Sequence, residues 1–255
     1  IDHLGPFADS LHGLGLAYDA MQGVDARDPG CHAKRVEPVT SAMHDGIQGL
    51  RIGVLDGYFH DHATAPARQV VQDAARVLGG TPSVTWPDAS MARAAAFIIT
   101  ASEGGQLHLD HLRTQVEAME PLSVDRFIAG ALQPAAWYVQ AQRFRRVYRE
   151  KVNALFEKWD VLLAPATPVC APRIGTEWLD LNGQQLPSRA AMGLLTQPIS
   201  FAGCPVVVAP MWPDGTGGLP VGVQVIAAPW REEAAFRVAH VLSQSGAAGL
   251  KKMGF

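Results

Sequence analysis

The chain has 255 residues, 48% of them apolar and 18% charged, with a net charge of −3. That balance is too apolar for a disordered chain, and its 25 glycines and 18 prolines follow no collagen-like period. It also excludes a global field that would draw the molecule onto nucleic acid or an anionic membrane, and no apolar run reaches the ~18 residues that a membrane helix needs. Ile1 opens on a polar, turn-rich stretch without the basic flank and apolar core of a signal peptide, which reads as a soluble, cytoplasmic protein.

In chain order, Asp9 and Ser10 offer capping oxygens to a helix with Leu11, Leu14, Ala17, Tyr18 and Met21 on one face, and Gly23 stops it. Residues 24–49 show no periodicity and are expected to wrap the body as a surface excursion. Leu50 to Leu55 reads as a strand, Pro66 to Leu78 as a helix closed by Gly79 and Gly80, and Ser83 to Trp86 as a second strand. With an alanine-rich helix over 89–102, this β-α-β rhythm predicts an α/β fold whose sheet is covered on both faces.

A long helix follows from about Ala135 to Trp159, its apolar residues recurring every three or four positions, and it runs into a buried strand from Val161 to Ala164. Pro165, Pro168 and Pro172 then force an extended loop. A short helix near 189–196 leads through Gln197, Pro198 and Gly203 to a strand from Val206 to Ala209. Asp214 to Gly218 joins it, as a permissive turn, to an antiparallel partner from Leu219 to Ala227, and a helix over 232–244 closes the chain. No repeat, low-complexity tract or charged linker divides residues 1–255, so one domain is expected.

Little of the sequence carries recognisable chemistry by spacing. Cys31, Cys170 and Cys204 are odd in number, far apart and without a CxxC pair, which disfavours a disulfide framework and fits a reducing compartment. His60 with His62, and His108 with His111, are short pairs of the kind usually solvated, so no metal is expected. There is no GxGxxG, Walker loop, GxSxG or HExxH. None of the five lysines has a serine three residues before it, and the chain offers no convincing nucleophile.

The arginine-rich stretch 143–149 invites a nucleic-acid reading, which the helical wheel opposes. At about 100° per residue, Arg143 and Arg146 fall on the far side and Arg149 on the flank, whereas Arg145 falls within roughly 50° of the apolar centre, nearly in line with Tyr138. A guanidinium turned inward needs an acceptor, and its fork suits a carboxylate. Either an internal acid pairs with Arg145 or an anionic ligand does.

The segments Ile1 to Phe7 (IDHLGPF), Trp159 to Pro168 (WDVLLAPATP), Thr196 to Pro205 (TQPISFAGCP) and Gly218 to Pro229 (GLPVGVQVIAAP) resemble, in order and across the whole chain, the C-terminal half of amidase signature enzymes. The resemblance implies a mixed sheet of the amidase-signature type. It also implies metal- and cofactor-free amide hydrolysis by a Ser, cis-Ser, Lys triad, and a small carboxylated, urea-like amide as substrate. In that family the triad precedes the "DHxGP" motif, which begins here at Asp2. No catalytic residue is therefore assigned within 1–255, and the nucleophile-bearing N-terminal half is expected to be a missing partner of this chain.

The substrate-facing wall can be carried over. The family's Tyr, Gln, Arg helix pattern falls on Tyr138, Gln142 and Arg145 and implies that Arg145 holds the substrate carboxylate, with Tyr138 beside it. Thr196 and Gln197 match a pocket-lining segment. Relatives linked to tRNA often carry an acid where Gly193 stands, and its absence weakens that branch. Glu103 and Gln106 match loosely and read as solvated. A small helical companion protein and a homodimer are further implications, while a non-enzymatic, truncated binding or assembly subunit is the alternative.

Overall fold

The computed structural model describes residues 1–214 and 218–250. Helix α1 (Leu11–Met21) starts where the Ser10 hydroxyl accepts the Gly13 amide at 3.2 Å. The excursion that follows is not wholly irregular. Val39–Ala42 forms a helical turn, α2, because the Asp19 carboxylate accepts the amides of Val39 and Thr40 at 2.8 and 3.2 Å. The cap comes from a residue twenty positions earlier, so no local pattern could have announced it.

Strand β1 (Ile52–Asp56), the turn α3 (Tyr58–Asp61), helix α4 (Ala65–Val77) and strand β2 (Ser83–Thr85) form the expected β-α-β unit, with β1 and β2 parallel. Helix α5 (Ala89–Leu107) runs one turn beyond the expected 102. After it come α6 (Leu109–Thr114), a 3-10 turn over Val116–Ala118, and α7 (Pro121–Leu132), which begins with Glu120 as cap and proline in the first turn. Helix α8 (Ala135–Phe156) ends three residues short of Trp159 and is followed by β3 (Val161–Pro165).

A two-stranded hairpin of β4 (Trp178–Leu181) and β5 (Gln184–Pro187) interrupts the proline-rich connection. The expected single helix near 189–196 is instead two, α9 (Ser188–Met192) and α10 (Gln197–Ala202), separated by a turn. Pro198 causes the break, since it has no N–H to donate back to Leu194. Strands β6 (Val206–Met211) and β7 (Val221–Ala227) form the antiparallel pair, and α11 (Glu232–Gln244) closes the fold. Gly215, Thr216 and Gly217 of their connection lie outside the described residues.

The main sheet has the order β2-β1-β3-β7-β6 and is mixed: β1 is parallel to β2 and β3, and β7 is antiparallel to β3 and β6. All five residues of β3 are buried. Successive strand residues face opposite sides, so this burial requires cover on both faces of the sheet, as the near-continuous apolar run predicts. Helices α4 and α11 both pack against β3 and β7. Among the described residues no helix is long and apolar enough to cross a membrane, and no three His, Cys, Asp or Glu side chains gather as metal ligands.

The crossing of α5 and α7 places the site. Gly104 on α5 faces the Phe127 ring and Gly105 the α7 backbone at Gly130 and Ala131, and the helices lie so close that a Cβ at Gly130 would overlap the Ala101 carbonyl. The close approach fixes the course of α5 past α8, against which it also packs.

Candidate functional site: the face of α8 and a cleft bordered by α10

Helix α8 presents Tyr138, Gln142, Arg145 and Tyr148 at spacings of three and four, which places them on one helical face. Each makes a polar contact there. The Tyr138 hydroxyl donates to Glu103 on α5 at 2.9 Å and accepts from Gln142 at 3.0 Å. Arg145 donates through Nε to the Phe201 carbonyl of α10 at 3.1 Å, with its guanidinium over the Phe201 ring at 5.6 Å. Tyr148, fully buried, donates to the Pro198 carbonyl at 2.8 Å and accepts from the Trp86 indole at 2.6 Å.

The wheel's division holds: Arg143, Arg146 and Arg149 are exposed and Arg145 is half-buried. Among the described residues Arg145 forms no ion pair. Burial and the nearby Arg149 pull its pKa down, opposed by Glu103 and Tyr138. A guanidinium stays charged under such a shift, so the site holds a partly desolvated positive charge with unused donors. Glu103 is exposed but not merely solvated, because the Tyr138 hydroxyl binds it.

Thr196 and Gln197 lie at the opposite end of α10 from Phe201. The Thr196 hydroxyl donates to the Gly193 carbonyl at 3.4 Å, and the Gln197 amide side chain makes no hydrogen bond among the described residues. Both border a cleft of about 1210 Å3 that Phe97, Thr100, Arg126 and Ser200 also line. Arg126 donates to the Thr100 hydroxyl. The four residues expected at the site therefore divide into two pairs, Tyr138 with Arg145 and Thr196 with Gln197, joined by the six residues of α10. At about 1.5 Å per residue, α10 separates them by less than 10 Å along its axis. Gly203, with φ of 84°, ends the helix in the left-handed region and turns the chain into β6.

This geometry can hold an anion at Arg145 and hydrogen-bond an amide or urea group along α10. It contains no paired nucleophile and base among the described residues. Lys151 is bound to Asp88 at 2.6 Å and Lys34 sits over the Trp230 ring. The residues that sequence reasoning missed are the ones beneath the turn, above all Gln224; a lone Gln in the run VGVQVIA was the available signal.

The profile of the family described as Amidase matches residues 1–236. The AtzE subunit of 1-carboxybiuret hydrolase from Pseudomonas sp. (strain ADP) is 63% identical over 251 residues, which cover 98% of this chain and 55% of that protein. A glutamyl-tRNA(Gln) amidotransferase subunit of Dehalococcoides mccartyi (strain ATCC BAA-2266 / KCTC 15142 / 195) is 28% identical over 94% of this chain and 54% of its own length. The chain thus spans about half the length of the curated relatives it matches.

Among solved structures, an inhibitor-bound complex described as a vestigial protein complex revealing the evolutionary origins of an s-triazine catabolic enzyme superposes with a TM-score of 0.95. It is 62% identical, and the match covers 97% of this chain and 54% of that one. A 6-aminohexanoate cyclic dimer hydrolase complexed with substrate superposes at 0.77 over 94% of this chain and 54% of its own, with 23% identity, a likeness of fold alone.

Proposed function

The chain belongs to the amidase family, and from that premise we propose that it supplies the substrate-holding C-terminal part of an amidase about twice as long. The reaction is hydrolysis of a C–N bond in a small carboxylated, urea-like compound such as 1-carboxybiuret. The observation that carries this reading is Arg145: a half-buried guanidinium, unpaired among the described residues, beside Tyr138 and at one end of the helix that borders the cleft. A two-point contact with a carboxylate answers its desolvation. The 63% identity with a 1-carboxybiuret hydrolase subunit supports the substrate class.

In this reading the Ser, cis-Ser, Lys triad lies in the half that this chain does not contain. There the serine attacks the carbonyl, the leaving amine takes its proton through the bridging serine and lysine, and water releases the acyl group. The present chain positions the substrate, with Arg145 holding the carboxylate and Thr196 and Gln197 facing the urea portion. Neither a metal nor an organic cofactor takes part. A small helical companion and a second copy of the enzyme belong to the same proposal, supported by the description of the similar structure as a protein complex.

The test is ammonia release by the full-length protein from freshly generated 1-carboxybiuret and from biuret, which lacks the carboxylate. Turnover that favours the carboxylated compound is expected. Release from neither would overturn the reading in favour of a binding or assembly subunit.

A further inference from the structure

Gln224 stands in the middle of β7 between Val223 and Val225 and is only 2% exposed. A primary amide withdrawn from water is costly unless its N–H groups are met. Both are: Nε2 donates to the Pro165 carbonyl at the end of β3 at 2.9 Å and to the Leu195 carbonyl at 3.1 Å. Leu195 immediately precedes Thr196 and Gln197.

The need for these donors is written into the turn. In a continuous helix the amides of residues 198 and 199 would bind the carbonyls of Leu194 and Leu195. Residue 198 is proline and has no N–H, and the Ile199 amide binds Thr196 instead, at 3.1 Å. Side chains from elsewhere take both places. The Tyr58 hydroxyl of α3 donates to Leu194 at 3.2 Å and Gln224 donates to Leu195. On the far side of the turn, Tyr148 holds the Pro198 carbonyl. The backbone around Thr196 and Gln197 is therefore tied at 194, 195 and 198 to three different elements, and Gln224 couples it to the central sheet.

We propose that Gln224 is a positioning residue for substrate recognition: by holding the Leu195 carbonyl it sets how Thr196 and Gln197 face the cleft. This rests on the reading above that the turn contacts the substrate. It predicts a role in substrate affinity that acts largely through Gln197, with a smaller part through Thr196.

The experiment is a mutant cycle in the full-length protein, with KM, kcat and the melting temperature measured for Gln224→Met, Gln197→Ala and the double variant. Methionine keeps the length of the side chain and removes both N–H donors. Loss of a buried hydrogen bond to the turn should raise KM about ten-fold with kcat changed less than about three-fold. In the Gln197→Ala background the same substitution should raise KM by less than about three-fold, the remainder acting through Thr196. If the two effects on KM multiply independently, or if only the melting temperature moves, Gln224 supports the fold alone and the inference is overturned. If Gln197→Ala itself leaves KM unaltered, the turn is not a substrate wall, and the inference falls together with the reading on which it rests. Should Gln224→Met fail to fold, Tyr58→Phe replaces it in the cycle. It removes only the hydroxyl at Leu194, and the same coupling to Gln197 is required of it.

Discussion

Arg145 and Phe201 are joined by one hydrogen bond, from Nε to the carbonyl at 3.1 Å, and it leaves the two terminal amino groups of the guanidinium without an ion pair among the described residues. A carboxylate can take both at once. Arg145→Ala in the full-length protein should therefore cost about 2–5 kcal/mol of transition-state stabilisation, much of it from the unpaired charge left on the substrate. At about 1.4 kcal/mol per decade, kcat/KM falls by about 30-fold to several thousand-fold. Arg145→Lys should recover only part, and turnover of biuret should be nearly indifferent. Equal losses on both compounds together with a lower melting temperature would make Arg145 a structural tie to Phe201 and nothing more.

Residues 1–255 alone should release no ammonia from either compound. No lysine among the described residues lies ready to deprotonate a serine, Lys151 being held by Asp88. Turnover that persists after removal of any longer enzyme would refute the assignment of the triad to the other half.

Asp19 fastens the excursion after α1. Burial alone would raise its pKa, but the hydrogen bonds from the Thr40 hydroxyl, the Val39 and Thr40 amides and Gln22 outweigh it and hold the carboxyl below its ordinary value. Asp19→Ala leaves two amides at the start of α2 without their acceptor, an expected loss of about 1–3 kcal/mol. Urea denaturation measures it, and limited proteolysis should cut faster within 24–38. Unchanged stability would mean that water replaces the carboxylate at no cost.

His44 Nδ1 and His240 Nε2 lie 3.3 Å apart, with the ring centroids at 4.6 Å. Burial and then His44 itself lower the pKa of His240 from 6.5. Near and below that value the unfolded chain binds more protons than the native one, so stability rises with pH. The contribution of His240 is present above pH 6.5 and is lost as the pH falls through its lower native pKa. Melting temperatures between pH 7.5 and 5.5 should drop less for His240→Gln than for the unaltered protein. Parallel curves would show that the pair is proton-silent.

The parts of the fold legible in the sequence are those whose cause is local or periodic. The apolar run of β3, the β-α-β unit and the inward direction of Arg145 all follow from spacing, and the structure contains them. The hairpin β4-β5 escaped because most of its residues are exposed and the apolar alternation is confined to Leu179, Asp180 and Leu181, although Asn182-Gly183, both at positive φ, is a recognisable turn pair. The start of α7 had a signal in Glu120 and Pro121. The split between α9 and α10 was hidden in Pro198, which reads either as a first-turn proline or as a break. What spacing could not reveal is that Tyr58, Gln224 and Tyr148, far apart in sequence, would supply the donors of that turn.

The course of α5 past α8 depends on glycines, and this gives the sharpest contrast between two single substitutions. A Cβ at Gly130 would overlap the Ala101 backbone, which cannot rotate away as a side chain can, so Gly130→Ala must push α5 and α7 apart. Overpacking of this kind typically costs about 1–3 kcal/mol, occasionally more. Displacing α5 also moves Glu103 from the Tyr138 hydroxyl, which it meets at 2.9 Å, so the damage should reach the site as well as the fold. Gly193→Ala is the control. Its φ is ordinary, and a Cβ there approaches nothing closer than the Ala190 carbonyl at 4.0 Å, so stability should change by less than about 0.5 kcal/mol. Chemical denaturation of both variants decides the matter: if Gly130→Ala is as stable as Gly193→Ala, the two helices are not in obligatory contact, and the placement of Glu103 beside Tyr138 loses its structural cause.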